Sequence, residues 1–175
     1  MPRALIALIV AASALAAVAA PQPGPDAASL ETATFSMYCY WTGEATLGRV
    51  DGVEASRIGH WGGQEIVQVD YDPRKTDPAA LARALIAQRS FYAVLADGSK
   101  SHGELASSFD DGQIRRVSGA PHFIEPKHSL RTRYPQLAGL ELSEAQRIAL
   151  NSWAYFGGPI PDVLTAEQRR LVDKR

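Results

Sequence analysis

Sulfur is scarce in this chain: 175 residues hold one cysteine and two methionines. A single cysteine excludes an intramolecular disulfide framework. An excess of one charge is lacking too. Lys and Arg total 18 against 19 Asp and Glu, and neither sign clusters, so the basic footprint of a nucleic-acid binder is missing. His60, His102, His122 and His128 lack metal-ligand spacing, and surface or packing roles are the default for each. There is no internal repeat. What remains is an ordinary globular composition, 46% apolar and 21% charged, long enough for one domain with its own core.

One long apolar run stands at the start. Arg3 precedes Ala4 to Ala20, rich in Ala, Leu, Ile and Val, and Pro21-Gln22-Pro23-Gly24-Pro25 follows. This pattern predicts a signal peptide over 1–19, cut after Ala17-Val18-Ala19, then a linker over 20–30. A retained anchor is the competing reading, but the run is short for a span. The expected location is periplasmic or secreted, with no membrane contact after cleavage. Exported proteins usually pair their cysteines, and Cys39 has no partner in the chain. Its thiol is therefore buried and inert, joined to another molecule, or kept for reactivity.

From Glu31 the chain alternates. Ala33, Phe35, Met37 and Cys39 fall on one side of a strand, Thr34, Ser36 and Tyr38 on the other. A short helical stretch to Val50 follows, closed by Asp51-Gly52. Val53 to His60 and Glu65 to Tyr71 read as strands around Trp61-Gly62-Gly63, with Glu65, Val67, Val69 and Tyr71 sharing a face. Asp77 caps a helix with Pro78 at its first position and a stripe of Leu81, Ala84 and Leu85. Ser90 to Leu95 gives a fourth strand. The order β-α-β-β-α-β over 31–96 predicts an α/β (α+β) fold with a ferredoxin-like core and a C-terminal helical extension over 97–175, all in one domain. In that arrangement the first and third strands are antiparallel neighbours. The end of one then meets the start of the other, which brings Cys39 and Glu65 together at one rim.

Beyond residue 99 the pattern weakens. Ser107 to Gly119 reads as a hairpin around Asp110-Asp111-Gly112 with a return strand Gln113 to Val117. Ala120 to Pro135 reads as extended. Ser143 with Gln146, and Thr165 with Gln168, make capping boxes for two further helices. The first carries Ile148, Ala149, Trp153 and Phe156 and stops at Gly157-Gly158-Pro159.

Read together, Ala33-Thr-Phe-Ser-Met-Tyr-Cys-Tyr-Trp-Thr-Gly-Glu44, Gly52-Val53, Gly59-His-Trp-Gly-Gly63 and Glu65-Ile-Val-Gln-Val-Asp-Tyr-Asp-Pro73 resemble the type A peptide methionine sulfoxide reductases. That family has Gly-Cys-Phe-Trp-Gly-x-Glu, then Pro-Gly-Val, a Gly-Tyr-x-Gly-Gly turn and a Gly-His-Ala-Glu strand ending in Asp-Pro. The likeness spans about residues 33–88. It implies that Cys39 is the nucleophile and that Glu65 is the acid on the sulfoxide oxygen. It further implies that Tyr40, Trp41 and Glu44 line the substrate, the two rings holding its methyl group. Here Tyr38 and Thr42 replace the glycines around Cys-Phe-Trp, and the segment between the Gly-Gly turn and the glutamate is shortened.

The chemistry wants these residue types. Sulfoxide oxygen leaves only when protonated, and the thiolate that attacks sulfur becomes a sulfenic acid. With no resolving cysteine, turnover needs an external thiol, a small one or a thioredoxin-like protein, and no bound cofactor. Two other readings stand beside this one. A catalytically degenerate exported binding module would keep the fold without the reaction. A single-thiol heavy-metal-binding domain would share the β-α-β-β-α-β order and use Met37-Tyr38-Cys39, although Thr42 stands where a second cysteine would be.

Overall fold

A computed structural model of the chain describes residues 30–173, apart from 99–102 and 104. The expected signal peptide and nearly all of the linker lie outside the described residues, as does His102. The chain forms a mixed α/β structure built on a six-stranded sheet of order β5-β4-β1-β3-β2-β6.

The alternation read from the sequence accounts for the central strands. In β1 (Glu31–Met37), Ala33, Phe35 and Met37 point into the main core. Thr34 and Ser36 point to the other side and are buried as well, because β1 is a central strand. β2 (Val53–Trp61) and β3 (Gln64–Tyr71) form a hairpin in which Trp61 faces Gln64 and His60 faces Glu65. Gly62 and Gly63 sit at φ 56° and 75°, the pair of positive values a tight two-residue turn between twisted strands requires. β3 then runs antiparallel beside β1, from Glu31 opposite Tyr71 to Met37 opposite Glu65. β4 (Phe91–Asp97) flanks β1 on its other side, also antiparallel.

Two helices connect these strands. α1 (Tyr40–Leu47) joins β1 to β2, and α2 (Pro78–Ala87) joins β3 to β4. Asp77 accepts the Ala80 N–H at 2.7 Å, so the predicted cap is in place. α2 buries Leu81, Ala82 and Leu85; Ala84, expected in the stripe, is only half-buried.

Two expectations for the second half are corrected. β5 (Ile114–Val117) pairs with β4 in parallel, so 107–119 is not a hairpin. The Asp110-Asp111-Gly112 signal is real but makes one turn of 3₁₀ helix, Asp111–Gln113, leading into β5. Residues 120–135 are not extended throughout. β6 (His122–Ile124) adds to the edge of β2, and the chain then enters α3 (His128–Arg133) and α4 (Pro135–Ala138).

α5 (Glu144–Phe156) and α6 (Ala166–Asp173) complete the extension, each opened by its predicted capping box. α5 packs against α1 and β2, which places the extension on the same sheet face as α1. It buries Ile148, Leu150 and Ala154, while Trp153 and Phe156 are half-buried. Leu130, Leu137, Leu142, Leu150 and Ala154 make its own apolar cluster. Among the described residues no helix is long and apolar enough to cross a membrane.

Candidate active site

The junction between β1 and α1 is the point where the sequence concentrates chemistry. Cys39 is the N-cap of α1, with extended backbone at φ −144° and ψ 113°. Its carbonyl accepts the Gly43 N–H at 3.0 Å and so starts the helix, but its side chain caps nothing. The capping role is filled from another strand. Glu65 Oε2 accepts the N–H of Tyr40, the first helical residue, at 2.8 Å. A carboxylate suits that place, because the first turn of a helix carries partial positive charge and unpaired N–H groups. Register explains how Glu65 gets there: it faces Met37 at the end of β1, and Cys39 follows directly at the rim.

Cys39 and Glu65 are both half-buried, so both are within reach of solvent. Glu65 Oε1 has no hydrogen-bond partner among the described residues. Tyr40 lies edge-on to two rings, Trp41 at 5.7 Å and His60 at 5.5 Å between centroids. Its phenol is held above its ordinary pKa by burial, then by the negative charges of Glu65 and Cys39, so it stays a protonated donor at neutral pH. Trp41 is 38% exposed and stacks flat on His128, with centroids 3.9 Å apart and planes 6° from parallel. Thr42 Oγ1 and the Tyr155 hydroxyl are 2.6 Å apart, tying α5 to the first turn of α1.

Glu44 is in a different place. Its side chain is 2% exposed beneath α1, turned into the seam with the extension. Oε2 accepts from the Lys127 N–H at 2.9 Å and from Asn151 Nδ2 at 3.3 Å. Oε1 accepts from Ser56 Oγ at 3.1 Å and lies 3.4 Å from Lys127 Nζ. Burial pushes the Glu44 carboxyl above its ordinary value, and the Lys127 charge and hydrogen bonds offset only part of that. Lys127 Nζ also donates to Ser56 O, Ser56 Oγ and Glu144 Oε1, at 2.8, 3.0 and 2.5 Å.

The helix can lie this close to the sheet because residue 43 has no side chain. A Cβ there would stand 1.9 Å from Met37 Sδ and 3.3 Å from a Val67 methyl. Gly43 thus brings the α1 N-terminus down onto β1 and β3, within reach of Glu65.

Of the residues singled out from sequence, Cys39, Tyr40, Trp41 and Glu65 gather at one rim, while Glu44 faces the interior. Sequence reasoning assigned no site role to His60, His128, Tyr155 or Lys127. His60 was within reach: a two-residue Gly-Gly turn places it opposite Glu65. The other three come from the extension, and no local pattern links them to α1. The described residues contain no group of three or more His, Cys, Asp or Glu side chains able to hold a metal ion. Neither a protein-family model nor a curated protein sequence matches the chain.

Proposed function

We propose that this protein is an exported, thiol-dependent reductase of methionine-S-sulfoxide, free or peptide-bound. The observation that carries the reading is the 2.8 Å hydrogen bond from the Tyr40 N–H to Glu65, which ties a carboxylate to the residue next to the thiol. The strand order β4-β1-β3-β2 with α1 and α2 as connections supports a ferredoxin-like core within the larger sheet. The resemblance of residues 33–88 to the type A peptide methionine sulfoxide reductases supplies the choice of reaction.

In this reading Cys39 is the nucleophile. Glu65 protonates the sulfoxide oxygen through Oε1, which has no hydrogen-bond partner among the described residues. Thiolate attack forms a bond between Cys39 Sγ and the substrate sulfur, which then bears the protonated oxygen as a hydroxyl. That hydroxyl passes to Cys39 Sγ as the S–O and S–S bonds to the substrate sulfur break. The substrate sulfur thus gains two electrons and leaves as the thioether, while Cys39 loses two and becomes a sulfenic acid. Two equivalents of external thiol then return Cys39 to the thiol, giving a disulfide and water. Tyr40 and Trp41 offer apolar ring surface to the S-methyl group. Glu44 does not contact substrate here; it holds α1, and through it Cys39, against the extension.

The test is dithiothreitol-driven reduction of methionine-S-sulfoxide. Cys39→Ser abolishes turnover, and Glu65→Gln lowers kcat by about 10²-fold or more, as loss of a positioned acid does. Wild-type turnover no greater than that of Cys39→Ser would sink the proposal.

A further inference from the structure

We propose that His128 is a specificity-determining residue that restricts access to Cys39 to slim sulfur substituents. The inference rests on the reductase reading for its choice of substrate, but its geometry stands apart from that reading. Trp41 lies two positions after Cys39, in the first turn of α1. One face of its indole is covered by the His128 ring at 3.9 Å and 6°. A flat aromatic contact this close leaves no room for a group between the rings. A substituent entering beside Cys39 therefore meets Trp41 only through the surface that Tyr40 and His128 leave open.

His128 is held there by the residue before it. Lys127 has φ 60° and ψ 41°, a left-handed backbone that a lysine adopts only when its surroundings impose it. Those surroundings are present. The Lys127 N–H is bound by Glu44, and its ammonium by Ser56 and Glu144. Lys127 is 3% exposed. Main chain and side chain of residue 127 are both fixed, so the first residue of α3 has a fixed origin and its ring is set onto Trp41 before any ligand arrives. A wall positioned this way discriminates by shape.

Two measurements on the full chain test this. The first compares methionine sulfoxide with ethionine sulfoxide, which differs by one methylene. Discrimination of about 10-fold or more by the wild type is expected, since one methylene in a tight apolar site is worth that much. His128→Ala erases most of it, mainly by lowering KM for the ethyl compound. His128→Phe, which keeps a flat ring on Trp41, retains it. The second compares alkylation of Cys39 by iodoacetamide and by N-phenylmaleimide. His128→Ala raises the rate with the bulky reagent several-fold relative to the small one, and His128→Phe leaves the ratio near the wild-type value.

The outcomes separate the two proposals. A changed alkylation ratio without sulfoxide turnover in any variant overturns the reductase reading and supports the wall. Turnover with both ratios unchanged in His128→Ala overturns the wall and leaves the reductase reading standing. His128→Phe behaving like His128→Ala also overturns it.

Discussion

Two glutamates serve α1, Glu44 from within the helix and Glu65 from β3, and their environments differ in exposure and in hydrogen bonding. Glu65 stands at the open rim: one oxygen caps the helix, the other has no partner among the described residues, and solvent reaches the group. Glu44 stands in the seam with both oxygens engaged by Ser56, Asn151 and Lys127. A carboxylate with an oxygen to spare can move a proton. One with none to spare can only hold things together. On the proposed reading the rim carries the chemistry and the seam the cohesion, and both halves of that contrast can be tested.

The largest expected effect falls on the seam. Lys127→Met leaves Glu44 buried without its cation, and breaking a buried pair by removing one partner costs about 3–5 kcal/mol. In urea denaturation the midpoint should fall by that free energy divided by the slope m, with m itself unchanged. Cys39→Ser, by contrast, should stay within about 0.5 kcal/mol of the wild type, as a small substitution outside the packed core does. Equal midpoints for the two variants would mean that the seam does not anchor the extension.

A second experiment exchanges the two acids for their amides. Gln at 65 still offers a carbonyl to the Tyr40 N–H, so Glu65→Gln should leave the urea midpoint nearly unchanged while turnover collapses. Gln at 44 loses the negative charge facing Lys127 and puts an extra N–H into a fully committed network. Glu44→Gln should cost about 1–3 kcal/mol of stability. Its residual activity, measured on the folded fraction, should exceed that of Glu65→Gln. A reversed ranking would exchange the roles given to the two residues.

The contrast also divides what the sequence could tell. The rim was legible because it depends on local rules: the alternation of Ala33, Phe35 and Met37 sets the phase of β1, Gly62-Gly63 sets the hairpin, and together they bring Glu65 to the end of β1. The seam was not. Lys127 comes from a Pro- and His-bearing stretch that reads as extended. Its partner Glu44 lies 83 positions earlier, and no periodicity spans that gap. Its left-handed backbone has no glycine to announce it. The parallel pairing of β5 with β4 escaped for a similar reason. Asp110-Asp111-Gly112 reports a turn, but a turn does not say which strand the chain joins afterwards.

A third carboxylate sharpens the comparison with a smaller effect of opposite sign. Asp72 is 1% exposed, yet its partner Arg74 is 68% exposed and binds it through Nε and one terminal nitrogen, at 2.8 and 2.7 Å. The Arg74 hydrogen bonds hold the Asp72 carboxyl well below its ordinary value, at about 2. In the unfolded chain the same group takes up its proton near pH 4. Between those values the unfolded state binds more protons, so the stability Asp72 contributes is intact above about pH 4 and fades as pH falls toward 2. Glu44 is raised instead of lowered, so the native state takes up its proton first and gains relative stability as pH falls through the raised value toward the ordinary one. Urea midpoints at descending pH should therefore show the gap between wild type and Asp72→Asn closing below about pH 4. The gap between wild type and Glu44→Gln should widen as the medium becomes acidic. Gaps that moved in the same direction would show that the exposed Arg74 and the buried Lys127 act on their carboxylates alike, and the distinction drawn between open and sealed acids would fail.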